Sequence, residues 1–392
     1  MDRSRFAGSP VGTLVPFVGT DGRTGRPFSH VAFVADPLGG EPQLAARSWH
    51  AVGEARAAIA ALDTLTAFVP NAQLLRAPSL RREAQSTSAL EGTFAPLKDV
   101  VAGRSTTTGS RSSELAEVLN YVEAAESVFH ALTSGSALSF GLVAGAHRLL
   151  VHETESDGPD AGRVRRGHVV IGSPTGTVED ARFVPMPPGA PLEAAARDIF
   201  DWIGTAVDGR VDPVVACALT HYQFETVHPF NDGNGRLGRL LIVAQLMTTG
   251  LLRVPLLTVS PWFESRRSEY QDQLANVSAG GGWDAWVQFF ATGLAASAKD
   301  TVARIEGMLA AHREAIDRLN RAGMGAVARA IVDVLLEQPL ISASQLVVRT
   351  GRSSAAVYAQ VKRLVDIGVL SGPYGSYDRL YVADAIWSAT QR

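Results

Sequence analysis

A mainly helical fold, with one short β-hairpin inside it and a winged helix-turn-helix at its C-terminal end, is predicted by three observations. Apolar residues recur at helical spacing through most of residues 46–320. The stretch 160–188 breaks that period with Gly, Pro and the run His168-Val-Val-Ile-Gly172, which suits a hairpin. From about residue 325 the texture changes again, to short helical segments followed by a candidate two-stranded wing at 371–382 around Tyr374-Gly375.

The elements follow in order. Residues 1–45 are rich in Gly and Pro and lack a helical period, so an irregular arm with a few extended pieces is expected. A helical region at 46–110 opens with 46–67, where Ala, Leu and polar residues alternate in a helical manner, and closes on a Ser/Thr/Gly-rich loop at 104–113. The core, 111–320, carries expected helices at 114–131, 139–151, 191–207, 212–226, 234–250, 261–276 and 283–320. His147 falls on the second of these and is expected to serve packing. The last region, 325–392, reads as helices at 326–337, 342–350 (Ser342 as cap) and 354–367, then the wing.

Composition narrows the function. A hydrophobic content of 46% and a charged content of 19% describe a globular protein with a sizeable core. The net charge of −3 argues against general polyanion binding. Residues 325–392 hold seven Arg/Lys and five Asp/Glu, with only Lys362 and Arg363 on the expected recognition helix. Protein contact or homodimer packing is therefore a better expectation for that module than DNA binding. Lysine occurs only at 98, 299 and 362, and with no Gly-Lys-Ser/Thr triplet a Walker-type phosphate loop is excluded. The single Cys217, set among Val and Ala, is expected to be a buried small hydrophobe. No stretch reads as a signal peptide or reaches membrane-spanning length, so no membrane contact and a cytoplasmic location are expected.

The chemistry concentrates in residues 228–239, His-Pro-Phe-Asn-Asp-Gly-Asn-Gly-Arg-Leu-Gly-Arg. Turn formers fill 231–235, and apolar residues at helical spacing follow, so a tight loop should feed a helix that starts near Asn234. A helix N-terminus offers unpaired N–H groups to an anion, and glycines allow close approach. Arg236 and Arg239 share one helix face, as a polyphosphate would need. Asp232 could hold a divalent metal, and His228 could take a proton from an attacking hydroxyl. Singly, each residue has a bland reading as a turn, a solvated pair or a structural histidine. Together they fill separate needs of phosphate-ester chemistry.

These twelve residues resemble the signature of the Fic family, His-Pro-Phe-x-(Asp/Glu)-Gly-Asn-(Gly/Lys)-Arg-x-x-Arg, with every fixed position filled. His221-Tyr-Gln-Phe-Glu-Thr-Val precedes the motif as it does in Fic proteins. Gly162-Arg-Val-Arg-Arg-Gly-His-Val-Val-Ile-Gly172 resembles the family's flap, and Trp283-Asp-Ala-Trp-Val-Gln-Phe-Phe290 its closing helix. The resemblance implies a Fic helical core with a hairpin flap. It also implies transfer of AMP from ATP, with Mg²⁺, to a hydroxyl of a target protein (AMPylation). By position, His228 would be the general base and Asp232 the metal ligand. Gly233, Asn234 and Gly235 would form the anion hole, and Arg236 and Arg239 would contact phosphates. The target would dock on the flap at 160–188 by adding a strand, and self-modification would accompany transfer. Glu269-Tyr270-Gln271 departs from the Tyr-Tyr pair often seen there, so adenine contacts do not carry over.

Upstream, Thr87-Ser-Ala-Leu-Glu-Gly92 resembles the family's inhibitory signature, (Ser/Thr)-x-x-x-Glu-(Gly/Asn). Thr87 and Glu91 share a helical face, and Gly92 suits a helix terminus. The resemblance implies that Glu91 pairs with Arg239 and keeps the γ-phosphate of ATP from binding productively. Rival readings are transfer of another nucleotide, removal of AMP from a target, and a DNA-binding transcription regulator with a degenerate Fic core. The intact motif counts against the last.

Overall fold

The structure is a computed structural model that describes residues 1–20, 25–69, 71–103, 112–375 and 379–391. The chain begins with α1 (Arg3–Phe6), β1 (Gly12–Thr20) and β2 (Pro27–Ala35). Helices α2 (Ala46–Ala67), α3 (Arg76–Glu91), α4 (Leu97–Ala102), α5 (Ser113–Thr133) and α6 (Phe140–Leu150) follow. After a long turn-rich segment come α7 (Ala190–Thr205), α8 (Pro213–Val227), α9 (Asn234–Thr248), α10 (Ser260–Glu264), α11 (Arg267–Gly280) and α12 (Trp283–Arg321). The end of the chain is α13 (Ala326–Glu337), β3 (Leu340–Ser342), α14 (Ala343–Thr350), α15 (Ser354–Asp366), β4 (Ser371–Tyr374), β5 (Leu380–Val382) and α16 (Asp384–Thr390). The Ser/Thr/Gly-rich loop expected at 104–113 lies almost wholly outside the described residues.

Contacts divide the chain into two compact units. One holds 1–57, 123–253 and 262–295, and the other holds 58–122, 254–261 and 296–392. All three lysines fall in the second. These units do not follow the boundaries expected at 46, 111 and 325.

In the first unit, α8 and α9 form the buried centre. Asp212 caps α8 by accepting from the Val214 N–H, and Pro213 occupies the first turn, where a missing N–H costs nothing. Both helices are buried nearly all round, as central helices are. They pack antiparallel, with Cys217 facing the Ile242 carbonyl and His221 bonded to the Gly238 carbonyl. Burial pushes the Cys217 thiol pKa up, as expected of a packed, unreactive residue. On α12, Trp286 is fully buried and donates its indole N–H to the Ala218 carbonyl of α8.

The N-terminal residues correct the expectation of an irregular arm. β1 and β2 pair antiparallel over nine residues each, from Gly12↔Ala35 to Thr20↔Pro27. Met1, Phe6, Phe17, Ala32 and Phe33 are buried against Val178, Ala181, Phe183 and Val184. The partners lie some 150 residues away in the chain, so no local period announced them. The expected flap hairpin at 160–188 is mostly turns. Its limbs meet at Ile171↔Phe183, and β2 joins them through the Phe33 N–H to the Val184 carbonyl at 2.9 Å. His168 is wedged edge-on against Phe17 and Phe28.

In the second unit, the three-stranded sheet has order β3-β5-β4, with antiparallel pairs, and α13, α14 and α15 pack against one another. Ser342 and Gln345 form a reciprocal capping box at the start of α14. β3 and α16 were not foreseen, since a three-residue strand and a seven-residue helix are too short to carry a period. The residues after 325 are tied to α3: Arg81 donates to the Glu337 carbonyl and Arg82 to the Thr390 carbonyl. Glu83, 3% exposed, accepts from both the N–H and the hydroxyl of Ser260.

Phe33→Ala should lower unfolding free energy by roughly 3–5 kcal/mol, since its buried ring contacts Phe6 and Phe183. Urea denaturation measures this, and an unchanged midpoint would mean that the hairpin does not belong to the stable core.

Candidate active site

The site is the six-residue link, 228–233, between α8 and α9. α8 ends on His228, which adopts a left-handed conformation (φ 51°, ψ 63°) that costs a non-glycine residue about 1–2 kcal/mol. His228 Nδ1 lies 3.2 Å from the Glu225 carbonyl. A carbonyl only accepts, so Nδ1 carries the proton and the lone pair of the neutral ring sits on Nε2. The link then turns on Gly233, left-handed at φ 73°, where a Cβ would come within 2.7 Å of Leu150 Cδ2. α9 starts at the next residue, and the N–H groups of its first turn have no intrahelical acceptor.

Asn234 serves the loop with its side chain. Its Oδ1 accepts from the Phe230 N–H, and its Nδ2 donates to the Phe230 carbonyl, both at 2.9 Å. What Asn234 offers to an anion is therefore its backbone. Arg236, 3% exposed, donates to Asp232 Oδ2 at 3.0 Å. Arg239 is 1% exposed. Burial raises the Asp232 carboxyl pKa, but the Arg236 charge, the Gly233 N–H and the Ser156 hydroxyl outweigh it and hold the pKa below the ordinary value. The carboxylate is thus ionised and half-exposed.

Among the described residues no three His, Cys, Asp or Glu gather into a metal site. A lone ionised carboxylate still fits Mg²⁺, which keeps several waters and takes one or two carboxylates together with substrate phosphates. Asp232 would hold the ion only with a nucleotide present.

Three further residues join this site. Ser156 donates to Asp232 Oδ2 at 3.0 Å. His147 stacks on Phe230, its Nδ1 accepts from the Gly162 N–H at 2.8 Å, and its Nε2 donates to the Asp232 carbonyl at 3.1 Å. It is thus more than the packing residue expected. Arg165, in the flap, donates to the His228 carbonyl. Only Arg165 and His147 had a signal in the sequence, through the flap segment and a helical setting. Behind the site, His221 Nδ1 donates to the Gly238 carbonyl and Nε2 accepts from Tyr270 at 2.7 Å. Gly238 lets the helices approach, since a Cβ there would meet Glu225 Oε1 at 2.4 Å. Thr87, Glu91 and Gly92 lie in the other unit, where Thr87 is buried, Glu91 is exposed as the last residue of α3, and Gly92 caps it at φ 96°.

Burial lowers the His147 pKa to about 4 and the His221 pKa to about 3, so both rings are neutral at pH 7. Their folded values lie below the unfolded value of 6.5. Their stabilisation is therefore complete above pH 6.5 and is lost as pH falls toward those values, by about 1.4 kcal/mol per pH unit for each ring. His221→Gln should make the pH dependence of urea stability between pH 4 and 6.5 shallower by about that amount. An unchanged slope would mean that His221 does not carry it.

Comparison with known proteins adds to this geometry. Two family descriptions match the chain: Fic/DOC family N-terminal over residues 49–130 and Fic/DOC family over residues 137–246. The protein adenylyltransferase fic-1 of Caenorhabditis elegans is 37% identical over 95 residues, 24% of this chain and 17% of that protein. The protein adenylyltransferase Fic of Drosophila willistoni is 28% identical over 158 residues, 40% of this chain and 29% of that protein. The chain thus spans less than a third of the length of these relatives. A crystal structure of a Fic family protein from Desulfovibrio desulfuricans matches with a TM-score of 0.53 at 22% identity, covering 88% of this chain and 98% of that one. Fic-1 of C. elegans matches with a TM-score of 0.51 at 21% identity, covering 66% and 74%. At these identities the structural likeness is one of fold.

Proposed function

This chain belongs to the Fic family, and we propose that it is a protein adenylyltransferase that moves AMP from ATP to a hydroxyl side chain of a target protein. The observation that carries the reading is His228, with Nδ1 held by a carbonyl and Nε2 as the base, four residues before a carboxylate and six before the start of α9. The names of the matched adenylyltransferases support it.

In this reading the polyphosphate lies at the N-terminus of α9, against the backbone N–H groups of Gly233, Asn234 and Gly235, with Arg236 and Arg239 neutralising its charge. The target hydroxyl attacks the α-phosphorus in line. Its proton passes to His228 Nε2, the bond to the β-phosphate oxygen breaks, and pyrophosphate leaves. Asp232 would hold Mg²⁺, which when bound would offset charge on the phosphates. Positioning and charge neutralisation supply most of the rate. The target strand docks on the flap at 160–188. The order of helices and strands after residue 325 supports a winged-helix module there, with a role in protein contact.

Regulation is part of the proposal. Glu91 stands at the C-terminal end of α3, where the helix dipole disfavours a carboxylate. In this reading its function lies outside the helix, in pairing with Arg239. An arginine fork paired with Glu91 is closed to the γ-phosphate.

His228→Ala should cut transfer from α-labelled ATP by about a hundredfold to ten-thousandfold with nucleotide binding kept. Wild-type labelling by this variant would remove the base from the scheme. Glu91→Gly should speed transfer and self-modification, whereas Arg239→Ala should not, because it takes away a phosphate ligand along with the inhibitory pair. Unchanged labelling and ATP affinity in Glu91→Gly would end the inhibitory reading.

A further inference from the structure

Arg165 is among the largest fully buried side chains of the protein, 2% exposed. A buried cation is costly unless its hydrogen bonds are met and its charge is balanced. The hydrogen bonds are met. Nε donates to the His228 carbonyl at 2.8 Å, Nη1 to the Gly167 carbonyl at 3.1 Å, and Nη2 to the Met186 carbonyl at 2.6 Å and the Val227 carbonyl at 3.5 Å. The backbone N–H of Arg165 adds a bond to the Pro229 carbonyl at 2.9 Å. The charge is balanced by carbonyl dipoles, and burial lowers the guanidinium pKa to about 10, which leaves it charged at neutral pH.

The acceptors are spread in an informative way. Gly167 and Met186 stand at the two ends of the flap, outside the Ile171↔Phe183 pairing. Val227, His228 and Pro229 are the end of α8 and the start of the catalytic link. His228 is held in a left-handed conformation that a histidine does not prefer, and its carbonyl is the one that Nε grips. One planar fork therefore sets the flap base and the strained histidine at fixed distances from each other.

The geometry points to Arg165 as a positioning residue that registers the flap, and whatever strand docks on it, with the base His228. It acts through backbone carbonyls and touches no reacting atom. A lysine could not replace it, because one ammonium nitrogen cannot span acceptors that the three guanidinium nitrogens reach separately. The kinetic consequence rests on the reading of His228 as the base, but the structural coupling does not.

The test uses the full chain with Arg165→Ala and the milder Arg165→Lys. Amide hydrogen exchange should rise at least about tenfold in both variants, at 167–172 and 182–186 and also at 228–231, with α11 and α12 unaffected. Millimolar guanidinium should restore protection in Arg165→Ala at both places together. In self-labelling with α-labelled ATP, kcat should fall at least about tenfold while the KM for ATP stays within about threefold. Faster exchange in the flap alone, or protection in Arg165→Lys equal to wild type, would overturn the coupling. If exchange behaves as stated but His228→Ala still labels normally, the coupling stands and the assignment of the base falls.

Discussion

Two buried helices, α8 and α9, are joined by a link of only a few residues, and this reversal constrains the rest of the first unit. An antiparallel pair packed as closely as Gly238 allows leaves little room to turn. The chain solves this with two left-handed residues, His228 and Gly233, and with Asn234, whose side chain bonds both backbone groups of Phe230. The strain is held by neighbours that bond the link's carbonyls from outside, Arg165 on one side and His147 on the other. Sites that store strain need such over-determination.

The electrostatics follow the same division of labour. The cations beside the link, at the start of α9, are guanidiniums, charged at any working pH, and Asp232 is kept ionised by one of them. The histidines that brace the scaffold, His147 and His221, are held neutral by burial. His228 is less buried than either. In the proposed scheme, charge for binding, rigidity for support and proton capacity for chemistry fall on different residues, which lets each be tuned without moving the others.

How much of this was legible in the sequence depended on whether a pattern was local. The order Asn-Asp-Gly-Asn-Gly followed by helical spacing announced the loop and the start of α9, and the helix at 326–337 and the Ser342 cap lay where their periods put them. The N-terminal hairpin escaped because its buried partners sit near residue 180 and its glycines and prolines hide a strand period. Ser156 and the reach of Arg165 escaped for a related reason: a side chain that bonds distant carbonyls has no spacing to read. Asn234 was placed correctly in the chain, but its side chain turned out to be bonded within the loop.

The distribution of lysine has a practical consequence. Every lysine, 98, 299 and 362, belongs to the second unit, so the unit that carries the motif has no ε-amine. Amine-directed dyes and cross-linkers will therefore leave its side chains unmarked, whereas arginine-directed dicarbonyl reagents will read them. Among side chains, amine-directed footprinting thus reports on the second unit alone, whereas arginine-directed footprinting reports on both.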